Sequence, residues 1–367
     1  MTIQPCVLVT GVGGNSVGYQ ILQALLPLVH KYRIVTTEAE AFSFGLYQVK
    51  DRYVVPFANT PQYIQAILHI VEREKVNVIL PGTEPEIRVL TDYRTTLEAA
   101  GCIVIGSPAD VVSLCSNKWK LHLWLSQNKI GVPTTVLAES WRDLVDEVGF
   151  PIVGKPTENS GGSRNVAILS NEVEVERYRG DHVADGRQIV FQEYVGATDE
   201  EYTVGVLVSK TGELIDSIVV HRKLIGMSLA TRRIIKGHTY ALSTGYSQGV
   251  IIKHALIQRA CEDVALKLGG RGPVNIQCRL IGDELKVFEV HPRFSGTSSI
   301  RAEVGFNEPD VLIRNFLLGE AFGRLEYQSN VAAIRALRNL IVPLTVMQNV
   351  PRISSTSKTG ELLSLEG

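Results

Sequence analysis

The residues with the clearest chemical potential lie in the stretch 274–296, VNIQCRLIGDELKVFEVHPRFSG. Apolar and polar side chains alternate on both sides of Gly282 and Asp283, which predicts two antiparallel strands joined by a tight turn. Because successive side chains of a strand point to opposite faces, one face of this hairpin is polar. Such a face either lines a ligand cleft or lies half-solvated at a sheet surface, and alternation alone does not choose between the two.

The length of the turn decides which polar side chains meet across the hairpin. A two-residue turn would place Gln277 opposite Phe288, whereas a three-residue loop places Gln277 opposite Glu289 and Asn275 opposite His291. We predict the three-residue loop, which gathers an amide, a carboxylate and an imidazole on one patch. Oxygen ligands beside a fixed cation suit a divalent metal that carries phosphate.

A second stretch has the composition of a phosphate site. Residues 150–156, FPIVGKP, form an apolar run with Lys155 at its end, and a loop rich in glycine and serine follows. Phosphate binding needs a fixed cation and a backbone whose N–H groups can close over the oxygens. The loop lacks P-loop spacing and joins two strands, so we predict a mobile lid hairpin rather than a Walker-type site. The phosphate-facing residues of this loop are Ser160, Gly161, Gly162 and Ser163.

The segment from residue 222 to residue 238, called the arm below, is rich in positive charge and contains no acidic residue. In a protein of net charge −1 it creates a local electropositive surface. This surface suits a cleft wall that neutralises phosphates and an anionic substrate, and the alternative is an exposed basic hairpin. The basic side chains of the arm are Arg222, Lys223, Arg232, Arg233, Lys236 and His238.

The elements that must position these groups begin with a region of alternating strands and helices. Short apolar runs at residues 6–10, 33–37, 53–55, 76–80 and 102–105 are separated by amphipathic segments. This order predicts a parallel, doubly wound sheet, with ligands at the carboxyl ends of its strands.

Two segments of this region lie where such a sheet binds ligands. Gly11 and Gly13 fit the start of the fingerprint Gly-x-Gly-x-x-Gly, but Ser16 takes the third glycine position. The turn is therefore better explained as a structural turn or as a wall of a substrate cleft than as an NAD site. In the segment PGTEPE, residues 81–86, Glu84 or Glu86 either meets an amine-bearing substrate or complements a helix dipole.

Taken in order along nearly the whole chain, these motifs resemble those of the ATP-grasp superfamily, especially the carbamoyl phosphate synthetase large-chain branch. FEVHPRFSG resembles the metal-binding strand, whose usual Glu-x-Asn-Pro-Arg pattern has Asn where this chain has His291. NKWKLHLWLSQNKIGVPTT resembles the Asp-Lys helix and Gly-Ile-Pro turn, with Asn117 in place of Asp and Lys118 retained. IVFQEYVGATDEEYTVGVLV resembles the adenine hinge, and Glu201 takes the place of the acid that binds ribose.

The resemblance implies roles for individual residues. The ATP-binding set is Lys118, Lys155, Ser160, Gly161, Gly162, Ser163, Gln192, Glu193, Tyr194, Val195 and Glu201. The metal ligands are Gln277, Glu289 and His291, and the catalytic cations are Lys155, Arg222 and Arg293. The substrate-binding set is Glu84, Arg222, Arg232, Arg293, Ser295 and Arg301.

The resemblance also implies a fold, with a Rossmann-like α/β domain at residues 1–107 and an ATP-grasp domain of α+β character at residues 108–345. A lid subdomain is expected at about residues 134–191, and residues 346–367 are expected to form a polar tail. The implied chemistry transfers the γ-phosphoryl group of MgATP to a carboxylate, and an amine then attacks the acyl phosphate. Because Mg²⁺ prefers oxygen ligands, His291 implies weaker binding of a second ion, tolerance of Mn²⁺, or a side chain that binds substrate.

Three functions are compatible with these motifs. The first is a carboxylate–amine ligase, which takes a small carboxylate and an amine as substrates. The second is a carbamoyl phosphate synthetase-like phosphotransferase, although the chain holds one ATP-grasp unit and no amidotransferase segment. The third is a non-catalytic nucleotide-binding regulatory module with a degraded metal site. The sequence does not name the substrates, because their contacts come from variable loops.

Composition sets the remaining bounds. The chain has 367 residues, of which 45% are hydrophobic and 20% charged, as in an ordinary globular protein of two or three domains. Its charge balance gives no indication of a nucleic-acid or membrane partner. Five scattered cysteines without Cys-x-x-Cys spacing favour reduced thiols and a cytoplasmic location. The oligomeric state stays open, with a homodimer as the default expectation.

Overall fold

The polar hairpin that carries most of the expected site pairs as predicted, although its turn differs. In the computed structural model its strands are β15 (Gly272–Ile281) and β16 (Glu284–His291), and Asn275 pairs with His291 and Gln277 with Glu289. The predicted three-residue loop is wrong, because Ile281 pairs directly with Glu284 across a two-residue turn.

A β-bulge restores the register that the shorter turn would have changed. Cys278 pairs with Val287 and Gln277 with Glu289, so Phe288 is the extra residue on its strand. A bulge of this kind bends the strand and shifts the side chains beyond it by one position. The Gly282 that begins the turn has φ +61°, a left-handed conformation that glycine adopts without strain.

The structure describes most of the chain. The described ranges are residues 4–158, 163–198, 200–228, 230–243 and 246–354. The predicted loop contacts Ser160, Gly161 and Gly162 lie outside these ranges, and so does the part of the expected tail after residue 354.

The first hundred residues form the parallel, doubly wound sheet that their apolar runs predict. Its central strands β1 and β4 are apolar because helices cover both faces, and two separate hydrophobic clusters lie on the two sides. The strand order is β3-β2-β1-β4-β5, and every pairing is parallel. The strands are β1 (Cys6–Val9), β2 (Arg33–Glu38), β3 (Asp51–Val54), β4 (Val78–Leu80) and β5 (Ile103–Val104). The helices are α1 (Val17–Leu25), α2 (Gln62–Glu74), α3 (Glu84–Asp92) and α4 (Arg94–Ala99).

The glycine turn that follows β1 passes directly over α3. Gly11 has φ +59°, and a Cβ atom at this position would come within 2.5 Å of the Glu86 carboxylate. Ser16 begins α1, where its side chain accepts a hydrogen bond from the backbone N–H of Tyr19. Glu86 is 5% exposed and accepts hydrogen bonds from the hydroxyls of Tyr63 and Thr83. Its position fixes the first turn of α3, which also carries Glu84.

The hairpin forms one edge of a six-stranded sheet, called the central sheet below. The strand order is β16-β15-β10-β11-β14-β17. One face packs its apolar side chains against a helix, and the other face carries the polar residues. The further strands are β10 (Glu201–Val208), β11 (Leu214–Lys223), β14 (Gln248–Ile252) and β17 (Val331–Ala333). The surrounding helices are α5 (Ala109–Ser116), α6 (Lys118–Gln127), α9 (Ala255–Lys267), α10 (Ser298–Glu303) and α11 (Glu308–Leu318).

A four-stranded antiparallel sheet, called the lid sheet below, has its own small core. Trp141, Phe191 and Tyr178 fill this core, and the strand order is β6-β9-β7-β8. The strands are β6 (Thr135–Leu137), β7 (Ile152–Pro156), β8 (Ala167–Leu169) and β9 (Ile189–Glu193), and the helices are α7 (Trp141–Val148) and α8 (Glu172–Ala184).

The arm contributes a separate hairpin that docks on the lid sheet. Its strands are β12 (Ala230–Ile235) and β13 (His238–Ser243), and β13 continues beyond the arm. Arg233 donates to the Ile168 carbonyl at 2.7 Å and forms an ion pair with Glu174 at the start of α8. These hydrogen bonds lower the pKa of the Glu174 carboxyl to about 2, so the ion pair persists at acidic pH.

The chain returns to the first domain after the central sheet. A segment that we call the strap, residues 334–353, contains α12 (Leu344–Gln348) and ends beside β3. There Val54 donates to the Pro351 carbonyl at 2.8 Å, and Val350 and Ile353 are buried. The described part of the expected tail therefore packs against the parallel sheet. Among the described residues no helix is both long and apolar enough to span a membrane.

Replacing Glu86 with Gln should change how the free energy of unfolding depends on pH. Burial raises the pKa of the Glu86 carboxyl from its ordinary value to about 7. The contribution of this carboxyl to the free energy of unfolding is therefore fully present below the unfolded pKa near 4.5. It is lost as pH rises through 7, by at most about 3 kcal/mol. In urea unfolding, the free energy of unfolding of Glu86→Gln should rise relative to that of the wild type between about pH 5 and about pH 8. Glu72→Gln on the exposed side of α2 is the control, and an equal pH profile for both variants would contradict the prediction.

Candidate functional site

The polar face of the central sheet and the lid sheet enclose a cleft, called the main cleft below. It brings together Lys118, Lys155, Ser163, Glu193, Tyr194, Val195, Gln192, Glu201, Gln277 and Glu289, all of them expected from the sequence. Arg279, Ser243 and Phe288 also line it. Residues from the helix α6, two strands of the lid sheet and three strands of the central sheet thus converge on one volume.

One end of the main cleft is the crossing where the lid sheet joins the rest of the chain. The Glu193 N–H donates to the Thr134 carbonyl at 2.8 Å, and the Thr134 N–H donates to the Glu193 carboxylate at 3.1 Å. The Tyr194 hydroxyl donates to the Ala241 carbonyl at 3.0 Å. Arg279 donates to the Val195 carbonyl at 2.6 Å, so this carbonyl already has a partner.

Glu201 lies beneath this end of the cleft and is paired with two arginines. Its carboxylate is 2.9 Å from Arg222 and 3.1 Å from Arg279, and its side chain is 2% exposed. Ser243 from the arm hairpin donates to the same carboxylate. A ribose hydroxyl would therefore meet a carboxylate whose charge is already balanced by Arg222 and Arg279.

Lys155 lies in the floor of the cleft, beside the bulge of the hairpin. Its ammonium donates to the Gln192 side-chain oxygen at 2.6 Å and lies 5.5 Å from the centre of the Phe288 ring. Burial lowers the pKa of the Lys155 ammonium to about 8, and the nearby Glu289 carboxylate opposes this effect. Phe288, the bulged residue, thus forms part of the wall that dehydrates this cation.

Lys118 approaches Glu289 from the first turn of α6. The ammonium is 3.8 Å from the carboxylate, and the helix begins at Asn117, whose side-chain oxygen accepts from the Lys120 N–H at 3.0 Å. The Asn117 amide also donates to the Glu158 carboxylate at 2.9 Å. Asn117 therefore performs the capping that Asp would perform, because either side chain presents an oxygen to the helix N-terminus.

The metal candidates lie in a row of hydrogen bonds. Arg222 donates to the Gln277 oxygen at 3.0 Å, and the Gln277 N–H donates to Glu289 at 3.0 Å. The Nε2 atom of His291 is 3.2 Å from Glu289, and its Nδ1 atom is 3.4 Å from Glu84. Because Gln277 turns its oxygen to a cation and its nitrogen to a carboxylate, it positions Glu289 rather than offering an oxygen to a metal.

Glu289 is the strongest candidate ligand of a metal in this row. Burial alone would raise the pKa of its carboxyl, but His291, Lys118 and Lys155 outweigh burial and hold that pKa well below its ordinary value. Within the described ranges no cluster of three His, Cys, Asp or Glu side chains could hold a metal ion by itself. A metal here would depend on oxygens from a bound molecule, as Mg²⁺ commonly does with phosphates.

A second cavity, called the side pocket below, opens on the other side of Glu289. It lies between the two domains and is lined by Glu84, Ile87, Val112, Cys115, Ser116, Lys118, Glu289, His291, Pro292 and Arg293. Arg293 donates to the Glu84 carboxylate at 3.1 Å. Burial would raise the pKa of the Glu84 carboxyl, but Arg293 and His291 lower it, so this acid stays ionised at neutral pH.

Four residues of the expected substrate set line neither cavity. Arg301 is 1% exposed and forms a buried ion pair with Glu308 at 2.7 Å, so it supports the sheet instead of facing substrate. Ser295 is buried, with its hydroxyl 2.9 Å from that of Thr297. Arg232 is exposed on the arm hairpin and donates to the Leu224 carbonyl. Arg222 lines neither cavity and bridges Glu201 and Gln277, which is a positioning role.

The sequence argument missed Arg279 and Ser243. Arg279 lies directly opposite Glu201 in the pairing of β10 with β15. Its position on the polar face follows from the alternation, but its partner depends on a register between strands about seventy residues apart. Ser243 reaches Glu201 only because the arm hairpin folds back over the cleft, and no local pattern indicates this.

The geometry can be compared with known families. Residues 7–105 match the family of PylC-like N-terminal domains, and residues 187–338 match the family described as ATP-grasp in the biosynthetic pathway with Ter operon. Together the two matches cover the parallel sheet and most of the central sheet.

Curated relatives are similar to the chain over part of their own length. The carbamoyl phosphate synthase large chain of Thermomicrobium roseum is 22% identical over 342 residues, which are 87% of this chain and 30% of that protein. The formate-dependent phosphoribosylglycinamide formyltransferase of Dechloromonas aromatica is 28% identical over 243 residues, which are 62% of this chain and 56% of that protein. The chain thus matches less than two thirds of either relative.

Solved structures are similar over almost the whole chain. The ADP complex of N5-carboxyaminoimidazole ribonucleotide synthetase has a TM-score of 0.63 and 17% identity, covering 90% of this chain and 82% of that chain. D-alanine–D-alanine ligase from Bacillus anthracis has a TM-score of 0.55 and 16% identity, covering 86% and 97%. At these identities the likeness concerns the fold, and it confirms the expected α/β architecture. The chain therefore contains a region similar to PylC-like N-terminal domains, residues 7–105, followed by a region that matches an ATP-grasp family, residues 187–338.

Proposed function

We propose that the protein is an ATP-dependent ligase that activates a carboxylate as an acyl phosphate and joins it to an amine. The observation that carries this proposal is the position of Glu289, which lines both the main cleft and the side pocket. Two lysines face it from the main cleft, and His291 and Arg293 lie beyond it in the side pocket. A phosphoryl group bound beside Glu289 would thus be within reach of molecules in both cavities.

The residues of the main cleft suggest one orientation for ATP. The adenine would lie against the backbone at Glu193 and Tyr194, and the ribose would lie near Glu201. The phosphates would then lie between Lys118 and Lys155, whose charges offset those of the phosphate oxygens. A structure of similar fold was solved as an ADP complex, which supports nucleotide binding by this fold.

Glu289 fits the role of the protein ligand to a Mg²⁺ ion bound with ATP. Its depressed carboxyl pKa keeps it anionic, and one or two carboxylates with phosphate oxygens are a common ligand set for this ion. The ion would supply neutralisation of the charge on the phosphate oxygens during transfer. Gln277 would hold the Glu289 carboxylate in place, and the nitrogen ligand His291 suits the tolerance of Mn²⁺ that we expected.

The remaining chemistry depends on the side pocket. A substrate carboxylate held by Arg293 would face the γ-phosphoryl group, and positioning of this kind supplies most of the catalysis in phosphoryl transfer. The arm hairpin and the lid sheet enclose the main cleft, which excludes water from an acyl phosphate. The bond that then forms is a C–N bond to the amine, and phosphate leaves.

Glu289→Gln should abolish turnover without unfolding the protein. The amide has the shape of the carboxylate but no charge to hold the metal, so the rate should fall by at least about a hundredfold. The measurement is release of ADP and phosphate from MgATP with amino acids and small carboxylates, supplied singly and in pairs.

Glu284→Gln is the matched control, because Glu284 lies on the same strand with its side chain 66% exposed. Release that requires two substrates and is lost only in Glu289→Gln supports a ligase. Release with one carboxylate alone favours the phosphotransferase alternative. Tight ATP binding without turnover for any pair would contradict catalysis and favour a regulatory module.

ATP affinity should fall as pH rises through about 8. Lys155 is a cation below its pKa of about 8 and neutral above it, so its attraction for phosphate is lost at higher pH. The affinity should decrease by up to about tenfold per pH unit above that value. Titration of a fluorescent ATP analogue from about pH 6.5 to about pH 9.5, on either side of the lowered pKa of Lys155, would measure this.

Lys155→Arg provides the control, since guanidinium stays charged over that whole range. The variant should bind ATP with an affinity that does not change with pH. A fall of the same size in Lys155→Arg would assign the titration to another group and contradict the role of Lys155.

A further inference from the structure

A cavity distinct from the two described above lies between the first domain, the arm and the strap. Its volume is about 380 Å³, against about 70 Å³ for the main cleft and 40 Å³ for the side pocket. Cavities of this size accommodate small molecules. Asn15 of the glycine turn and Tyr19 of α1 form one wall, Met227 of the arm forms another, and strap residues 335–338 form a third.

The charged side chains that line this cavity are positive. Its lining includes Arg335 and Arg338 and contains no Asp or Glu. Arg335 donates to the Gln20 side-chain oxygen at 2.9 Å and to the Gly296 carbonyl at 2.6 Å, and both acceptors are neutral. Neither arginine forms an ion pair with any residue in the described part of the chain, so an anion entering the cavity would be their counter-charge.

Aromatic and apolar side chains form the rest of the lining. Tyr19 and Phe44 pack edge to face with ring centres 5.4 Å apart, and the Tyr246 ring lies 4.6 Å from the Arg335 guanidinium. Leu337 faces the cavity from the strap and is 80% exposed. An exposed leucine beside aromatic rings favours a ligand with an apolar or aromatic body, because covering these groups removes apolar surface from water.

Hydrogen bonds link the lining of the cavity to the loop that follows Arg293, beside the side pocket. Arg335 holds the Gly296 carbonyl, three residues after Arg293, and Gln20 accepts from the Ser299 hydroxyl at 2.5 Å. The same side chains therefore shape the cavity and fix the loop beside the side pocket.

We propose that this cavity binds the amine-bearing substrate by an anionic group, a carboxylate or a phosphate, and by an apolar or aromatic body. This inference rests on the proposed ligase function. The two arginines hold the anion, and the amine lies elsewhere on the molecule because no acid in the cavity would pair with an ammonium. Amino acids with apolar side chains belong to this class of ligand.

Binding without ATP tests the proposal independently of turnover. The probes are phenylacetate, its neutral analogue phenylacetamide, acetate and phenyl phosphate, titrated by ligand-observed NMR. Phenylacetate should bind at least about tenfold more tightly than phenylacetamide or acetate, since phenylacetamide lacks the charge that strengthens hydrogen bonds and acetate lacks the apolar body. Arg338→Gln should weaken phenylacetate binding by about tenfold, and Arg177→Gln, an exposed site in α8, should leave it unchanged.

The outcomes separate this inference from the ligase assignment. Glu289→Gln should bind phenylacetate as the wild type does, even though it has lost turnover. Phenyl phosphate binding more tightly than phenylacetate would support the cavity and identify phosphate as the anion. Equal affinity for phenylacetate and phenylacetamide, an unaffected Arg338→Gln, or no binding of any probe would overturn the proposal while leaving the ADP-release result intact.

Discussion

The site depends on the buried ion pair between Glu201 and Arg222. Both side chains are 2% exposed and lie 2.9 Å apart. Removing two charges from water costs more than such a pair commonly returns, so the pair is weak evidence for stability. The ion pair instead orients neighbouring side chains, because Arg222 orients the Gln277 amide. That amide holds Glu289 at the boundary of the two cavities. A hydrophobic replacement would fill the space but would leave Gln277 and Glu289 without a fixed orientation.

The same row of polar contacts joins the two domains. Glu84 belongs to α3 of the parallel sheet, whereas His291 and Arg293 follow the hairpin of the central sheet. The carboxylate between them is partly exposed, at 34%, so its attraction to the two cations is moderated by solvent. Glu86, two residues further along the first turn of α3, is anchored beneath the glycine turn, and this anchor determines where Glu84 can reach.

Local secondary-structure patterns could be predicted from the sequence, but contacts between distant segments could not. Parallel strands, the lid strand ending near Lys155 and the polar face of the hairpin all follow from alternation and composition. The hairpin pairing was predicted correctly with the wrong loop, because a bulge at Phe288 compensates for a shorter turn and bulges leave no clear signal. Arg301 was assigned to substrate from its motif, yet its partner Glu308 lies in the next helix and takes it into the core. Arg279 lies on the polar face that the alternation predicts, but its pairing with Glu201 could not be predicted.

The two chain connections of the lid sheet cross at Thr134 and Glu193, while the Lys118 N–H donates to the Thr157 carbonyl and the arm hairpin docks on the same sheet. Two hydrogen bonds join Thr134 and Glu193 to each other, so the two connecting strands behave as one pivot. The central sheet has no comparable freedom, because the strap fastens its far end to β3. The lid sheet must therefore rotate about the same backbone segment on which a purine ring would stack. A nucleotide bound there would restrict rotation about the pivot. Binding of the base would thus be coupled to the angle at which the lid sheet closes over the phosphates.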